Sequence, residues 1–414
     1  MRRVLLRSIL AGLIGAVGFG FLVARPAAAQ LRVTVSSLTS YDQNAFRNYL
    51  GLEDWVQQVL LNVGKQFTGR YADVALSYNG GFVFFREYTE RRFMVHGAAL
   101  DATFYLAGGN FPIDAGVSYS QRFDTQTYDI FDNRQLVVYV SKRFAGVAGL
   151  PEVGFSYTNR EYPNLPDYTH GEWSFYAVAR KFLPTKTTLI VRSNVGYRAF
   201  AKRVYTVTEP ASEDWREGTA WGWMRGGHGR GHWQNFPWWP GPASTVRFLV
   251  DAPRILLLNG GLRLAQSLGQ TLGLSLDVRG WYSPSGGGRA LDRSIYGYDS
   301  SDLIFDDPYN YDGSRVTVQL TKVLWAGSQV ALGATGERRW YRDRPALALD
   351  GLTTVDPQRR DRRSELWATL QSPLPVFKTN LSMMLDVRWI DNRSNDPYYQ
   401  WAGLSATLGL RLGF

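Results

Sequence analysis

The stretch Thr407-Leu-Gly-Leu-Arg-Leu-Gly-Phe414 decides the fold. Together with the residues before it, it splits into two rows. Leu404, Ala406, Leu408, Leu410, Leu412 and Phe414 are apolar, and Ser405, Thr407, Gly409 and Arg411 lie between them. A repeat of two is the repeat of a β-strand, whose side chains alternate between faces. The apolar row continues to an aromatic ring at the end of the sequence. A soluble protein gains little from a wholly apolar face at a free end, whereas a strand sealing a sheet against lipid requires one.

The order polar Thr407, Gly409, apolar Leu412 and terminal Phe414 resembles the assembly signal of Gram-negative outer-membrane β-barrels, the porin-like superfamily. The resemblance implies an all-β, antiparallel up-and-down transmembrane barrel in the bacterial outer membrane. It also implies outer-membrane lipid and the barrel-assembly machinery as partners. It points to a broad superfamily and to no family within it.

The other end of the sequence agrees. Arg2, Arg3 and Arg7 precede an apolar run from Ile9 to Ala24, followed by Ala27-Ala28-Ala29. This is the pattern of a secretory signal peptide spanning 1–29, with cleavage before Gln30 and a single domain over 30–414. The competing reading, an uncleaved membrane helix, suffers from a short, glycine-rich apolar run. Loss of Arg2, Arg3, Arg7 and Arg25 lowers the formal charge from +10 to +6. That balance is too small and too scattered for a nucleic-acid partner. The sequence has no cysteine, which excludes disulfides and thiolate metal sites. Mean hydropathy is negative (−0.23), as for a barrel in which only every second residue meets lipid.

Alternating segments recur at 31–40, 56–67, 71–86, 93–107, 112–123, 135–144, 152–160, 171–182, 187–205, 246–266, 270–283, 313–325, 328–342, 362–371, 378–391 and 400–414. Short connections alternate with longer ones, among them 206–245, 284–312 and 343–361, as periplasmic turns alternate with extracellular loops. Because the connection near 68–70 is short, a strand must run outward before residue 56, and 31–40 supplies it. The expected barrel has about 16 strands, with about 14 as the competing count if that first segment stays outside the wall.

Strand parity assigns the polar rows to the lumen. They carry Arg122, Arg180, Arg192, Arg198, Arg263, Arg279, Arg315, Arg339 and Arg388, with Glu337 and Asp386 among the acids. One reading is a ladder of ion pairs bracing the wall. The other is an aqueous pore with a mild preference for anions. The connection 206–245 holds Trp215, Trp221, Trp223, Trp233, Trp238 and Trp239. Such a loop could constrict the lumen, stack on small polar or carbohydrate solutes, or pack on itself. His228 and His232 lie among glycines that oppose a helix, so they make a poor metal pair. The aspartates of 284–312 read as hydrated turns rather than a Ca²⁺ site.

No cofactor or metal motif stands out. His170, near Asp167, is the one histidine with any acid–base prospect, which leaves an outer-membrane hydrolase as a minor alternative. The expected function is an outer-membrane channel for small polar solutes. The rival is a non-conducting structural or interaction barrel in an export or surface-assembly complex. The sequence leaves the oligomeric state open.

Overall fold

A computed structural model describes residues 27–106, 111–144, 149, 151–201, 203–210, 242–250, 252–285, 308–374 and 380–414. Sixteen antiparallel strands close into one barrel, each bonded to its neighbour in sequence and the last to the first. In order around the wall these are β1 (Ala27–Asp42), β2 (Asp54–Thr68), β3 (Ala72–Phe85), β4 (Phe93–Leu106), β5 (Phe111–Asp124), β6 (Asn133–Arg143), β7 (Glu152–Glu161), β8 (His170–Leu183), β9 (Thr187–Phe200), β12 (Arg254–Ser267), β13 (Leu272–Tyr282), β14 (Asp312–Val323), β15 (Gln329–Tyr341), β18 (Arg359–Leu374), β19 (Asn380–Ser394) and β20 (Trp401–Gly413). The first segment belongs to the wall, pairing with β20 from Thr34↔Gly413 to Asp42↔Ser405. Closure leaves the sixteen-stranded wall without an open edge, as a sheet spanning hydrocarbon requires.

Two expected strands are shorter than the sequence suggested. The segments 187–205 and 246–266 each break near the rim. β10 (Arg203–Pro210) and β11 (Pro242–Val250) leave the wall as a separate two-stranded ribbon. Pro253 lies at the break, where its carbonyl accepts from Phe200 N–H at 3.3 Å. A proline has no N–H to carry a ladder onward. A second small hairpin, β16 (Ala346–Leu347) with β17 (Thr354–Asp356), occupies part of the expected loop 343–361, and β18 starts earlier than the alternation indicated.

The wall has two unlike faces. One carries exposed Phe82, Phe84, Phe175, Val191, Leu274, Val316, Val318, Leu332, Leu366, Leu408 and Leu410. The other carries the arginines, carboxylates and amides. Buried apolar clusters are small and lie under loops: Phe131, Tyr162 and Leu165 in one, and Phe200, Ile255, Leu257 and Tyr309 in another. Burial of an interior core therefore does not organise this chain; strand pairing and a continuous apolar exterior do.

The connection after β3 is anchored by Asp54, which is 1 % exposed. Its carboxylate accepts the N–H groups of Trp55 (2.7 Å), Arg86 (3.0 Å), Glu87 (3.0 Å) and Tyr88 (3.2 Å).

Candidate site on the polar face of the barrel

The alternation that puts leucines outward sets the polar rows side by side on the opposite face, where strand register brings charges together. Arg122 meets Asp124 at 2.8 Å, and Arg180 meets Glu152 at 3.2 Å. Arg192 and Arg279 share Asp277, at 3.9 and 2.6 Å. Arg198 pairs with Glu172 at 2.9 Å. Arg315 and Arg339 grip Glu337 from two sides, at 2.7 and 2.6 Å. Arg388 bridges Glu365 at 2.8 Å and Asp386 at 3.1 Å. Of the nine lumen arginines Arg122, Arg180, Arg192, Arg198, Arg263, Arg279, Arg315, Arg339 and Arg388, Arg263 alone has no carboxylate within 4.0 Å among the described residues.

The charges are segregated around the wall. A recess of about 400 Å³ on β3–β8 is lined by Asp73, Asp101, Asp114 and Glu152 against Arg143. A second recess, of about 220 Å³ on β8–β13, has Arg192, Arg263 and Arg279 against Asp277. A third, of about 400 Å³ on β14–β19, has Arg315, Arg363 and Arg388 against Glu337 and Glu365. Since β5 lies eight strands from β15 in the closed order, the acid-rich sector and the last of the arginine-bearing sectors fall on opposite sides of the cylinder.

Aromatic rings lie flat against this face, a feature that alternation alone does not reveal. Tyr139, Tyr176, Trp281 and Trp367 each sit over the glycine directly opposite on the next strand: Gly116, Gly154, Gly313 and Gly333. Tyr139 also donates to Asp101 at 2.6 Å. The glycines make room for rings that would otherwise project away from the wall.

One outer segment folds onto the polar face. Tyr309 packs on the Arg198 guanidinium at 3.8 Å, and its hydroxyl occupies the space a side chain at Gly196 would need. Tyr311 packs between Arg339 (4.9 Å) and the tilted ring of Tyr341 (5.1 Å). Both tyrosines fall near the end of the expected connection 284–312. The only signal for them was the aromatic spacing in Pro308-Tyr-Asn-Tyr311.

Nearby, Arg359 (6 % exposed) binds Asp361 (4 % exposed) at 3.0 and 2.5 Å and lies over the rings of Tyr399 and Tyr341. Arg344 stands beside them; burial pushes its guanidinium below the usual range, while the Tyr399 hydroxyl opposes that shift.

Trp215, Trp221, Trp223, Trp233, Trp238 and Trp239 lie outside the described residues, as do His228, His232 and residues 1–26. Ala27–Ala29, which the expected cleavage would remove, extend β1 beyond Gln30. His170 is buried and donates its Nδ1–H to the Tyr168 carbonyl at 2.6 Å, with the Phe200 ring tilted against it at 5.3 Å. His96 lies on the opposite, apolar face, bonded to the Tyr78 hydroxyl at 2.7 Å.

The terminal motif sits in the seam. Thr407 bonds Ser40 at 2.9 Å, Gly409 faces Leu38, Leu412 faces Val35, and Phe414 is exposed.

No family model matches the chain, and no curated protein sequence matches it. Solved structures do. Acinetobacter baumannii OccAB1 aligns over 94% of this chain and 98% of its own, at 10% identity and a TM-score of 0.50. Pseudomonas aeruginosa OpdL aligns over 94% and 99% at 11% identity and a TM-score of 0.48. P. aeruginosa OccK2 (OpdF), solved with glucuronate, aligns over 94% and 98% at 10% identity and a TM-score of 0.47. Identity this low speaks to architecture alone. Together with the closed sixteen-stranded wall, its apolar exterior and its polar face, the likeness to OccAB1 shows that this chain has a porin-like β-barrel fold, with no family assigned.

Proposed function

We propose that the barrel is an outer-membrane channel for small polar solutes and that its polar face lines the path. The observation that carries this reading is the segregation of charge: an acid-rich sector opposite arginine-bearing sectors on one polar face. Charges arranged for bracing alone would be evenly mixed. Separated sectors set up a field across the lumen that orients dipolar solutes as they pass. Barrels of about 16 strands enclose an aqueous interior unless a loop fills it. Arg263, together with the exposed sides of Arg192 and Arg279, favours a mild preference for anions. Export behind a leader at 1–29, insertion by the barrel-assembly machinery and residence in outer-membrane lipid belong to the same proposal.

The second reading is a non-conducting structural or interaction barrel. The packing of Tyr309 on Arg198 favours it, because an outer segment there covers part of the polar face. Single-channel recording of the purified protein in planar bilayers separates the two. Steady ohmic conductance is expected. Silence from a folded, heat-modifiable barrel would overturn the channel reading.

A further inference from the structure

On the lipid side of the wall, three arginines stand in one line. Arg338 of β15 is the register partner of Arg362 of β18, and Arg362 is the register partner of Arg393 of β19. All three are exposed, and all share their strand's apolar parity: Arg338 with Leu332 and Trp340, Arg362 with Leu366, Arg393 with Trp389. Arg360, also exposed, lies opposite Trp340 one step nearer the rim. Like charges directly opposite one another on neighbouring strands repel. Asp391 relieves only Arg393, at 2.9 Å. Arg338, Arg360 and Arg362 have no carboxylate within 4.0 Å among the described residues. On the polar face, by contrast, Arg122, Arg180, Arg198, Arg315, Arg339 and Arg388 each reach a carboxylate.

Below this row, on the same strands, lies an apolar depression of about 500 Å³. Small Ala334 and Ala368 leave the space, and Leu332, Leu366, Trp389 and Leu404 border it. Arg362 is separated from Leu366 by four residues along β18. That is about 13 Å along the strand and about 10 Å along the membrane normal once the strand is tilted. The arginine row therefore falls at headgroup level when the depression lies among acyl chains.

We infer that this face binds a lipid with a phosphorylated headgroup, its phosphates on Arg338, Arg362 and Arg393 and an acyl chain along the Ala334–Ala368 depression. Guanidinium groups take phosphate oxygens in bidentate pairs, and such an anion removes the repulsion within the row. A second copy of the chain fits the depression but not the arginines, since a two-fold contact would set two like-charged rows against each other. A soluble polyanion would use the arginines and leave the depression empty. The inference rests on the barrel lying in a membrane, and it holds whether or not the lumen conducts.

The test is native mass spectrometry of the full-length folded protein in non-ionic detergent, titrated with bis-phosphorylated lipid A or with its dephosphorylated form. The wild type is expected to hold the phosphorylated lipid about tenfold more tightly than the dephosphorylated one. The triple variant Arg338→Gln/Arg362→Gln/Arg393→Gln is expected to lose about that factor, with bilayer conductance unchanged. Ala334→Trp with Ala368→Trp is expected to weaken lipid binding while every arginine remains. Should the triple variant fail to fold, Arg362→Gln alone carries the comparison. Equal retention of the two lipids, or equal retention by wild type and the arginine variants, overturns the inference. So does displacement of the lipid by inorganic phosphate, or a protein dimer that excludes it.

Discussion

Phe414 and Val33 exchange two backbone hydrogen bonds: Phe414 N–H donates to the Val33 carbonyl at 2.8 Å, and Val33 N–H donates to the Phe414 carbonyl at 3.3 Å. This pair ends the seam where β20 meets β1, so the terminal aromatic is part of the bonding that removes the last open edges. A proline at position 33 deletes one donor and bulks the edge. Val33→Pro is expected to lower the stability of the folded barrel by about 1–3 kcal/mol, read as loss of the heat-modifiable band and a lower urea midpoint in micelles. Val33→Ala, which keeps the N–H, is expected to fold. A fully stable Val33→Pro barrel would mean that the seam does not depend on this bond pair.

Closure was readable because lipid leaves few solutions. The rows at 272–278 and 316–320 are outward as their alternation requires, and the short connection near 68–70 demanded a strand at 31–40 that the wall indeed contains. The break after Phe200 was not readable, because 187–205 keeps alternating through a ribbon that has left the wall. Pairings such as Gly333 with Trp367 depend on register between strands, and hydropathy along one strand carries no information about its neighbour's offset. The row Arg338–Arg362–Arg393 was hidden for the same reason: each arginine alone reads as a rim residue, and only register lines them up. The inward fold of Tyr309 depends on tertiary contact with Arg198 and Gly196, which no local pattern encodes.

Gly333 offers a direct test of the ring-on-glycine packing. A Cβ at this position falls within the space of the Trp367 indole. Gly333→Val therefore has to move the ring or the strand, and overpacking of this kind costs about 1–3 kcal/mol. The penalty should largely vanish when Trp367→Ala is added, giving a coupling term in a double-mutant cycle. Urea unfolding in micelles would measure it. Independent, additive effects of the two substitutions would show that the ring does not rest on this glycine.

Arg359 is held between the rings of Tyr341 and Tyr399 while its two nitrogens engage Asp361. Removing one partner leaves the other charge buried without compensation. Arg359→Ala is expected to destabilise the outer end of the barrel by about 3–5 kcal/mol, and Arg359→Lys should recover little, since an ammonium neither stacks nor forks. Asp361→Asn together with Arg359→Met should cost less than Arg359→Ala alone, because no charge is stranded. Thermal unfolding followed by tryptophan fluorescence checks the order. If Arg359→Ala is the mildest of the three, burial of this pair is not what fixes the mouth.

If the barrel conducts as proposed, the sector around Asp277 sets its ion preference. Arg192 and Arg279 reach the same carboxylate, at 3.9 and 2.6 Å, and Arg263 shares their recess with no carboxylate within 4.0 Å of it among the described residues. On the proposed channel reading, one acid among three arginines leaves a local positive excess that would favour anions over cations. Arg192→Glu with Arg279→Glu reverses that excess and places three carboxylates around Arg263. The reversal potential in a salt gradient is expected to move toward the cation limit, by more at low ionic strength than at high, because salt screens fixed charge. Arg192→Gln with Arg279→Gln should move it about half as far. Asp277→Asn should move it the other way. Reversal potentials that stay put across all three variants, in channels of unaltered conductance, would mean that permeating ions never pass this side of the wall.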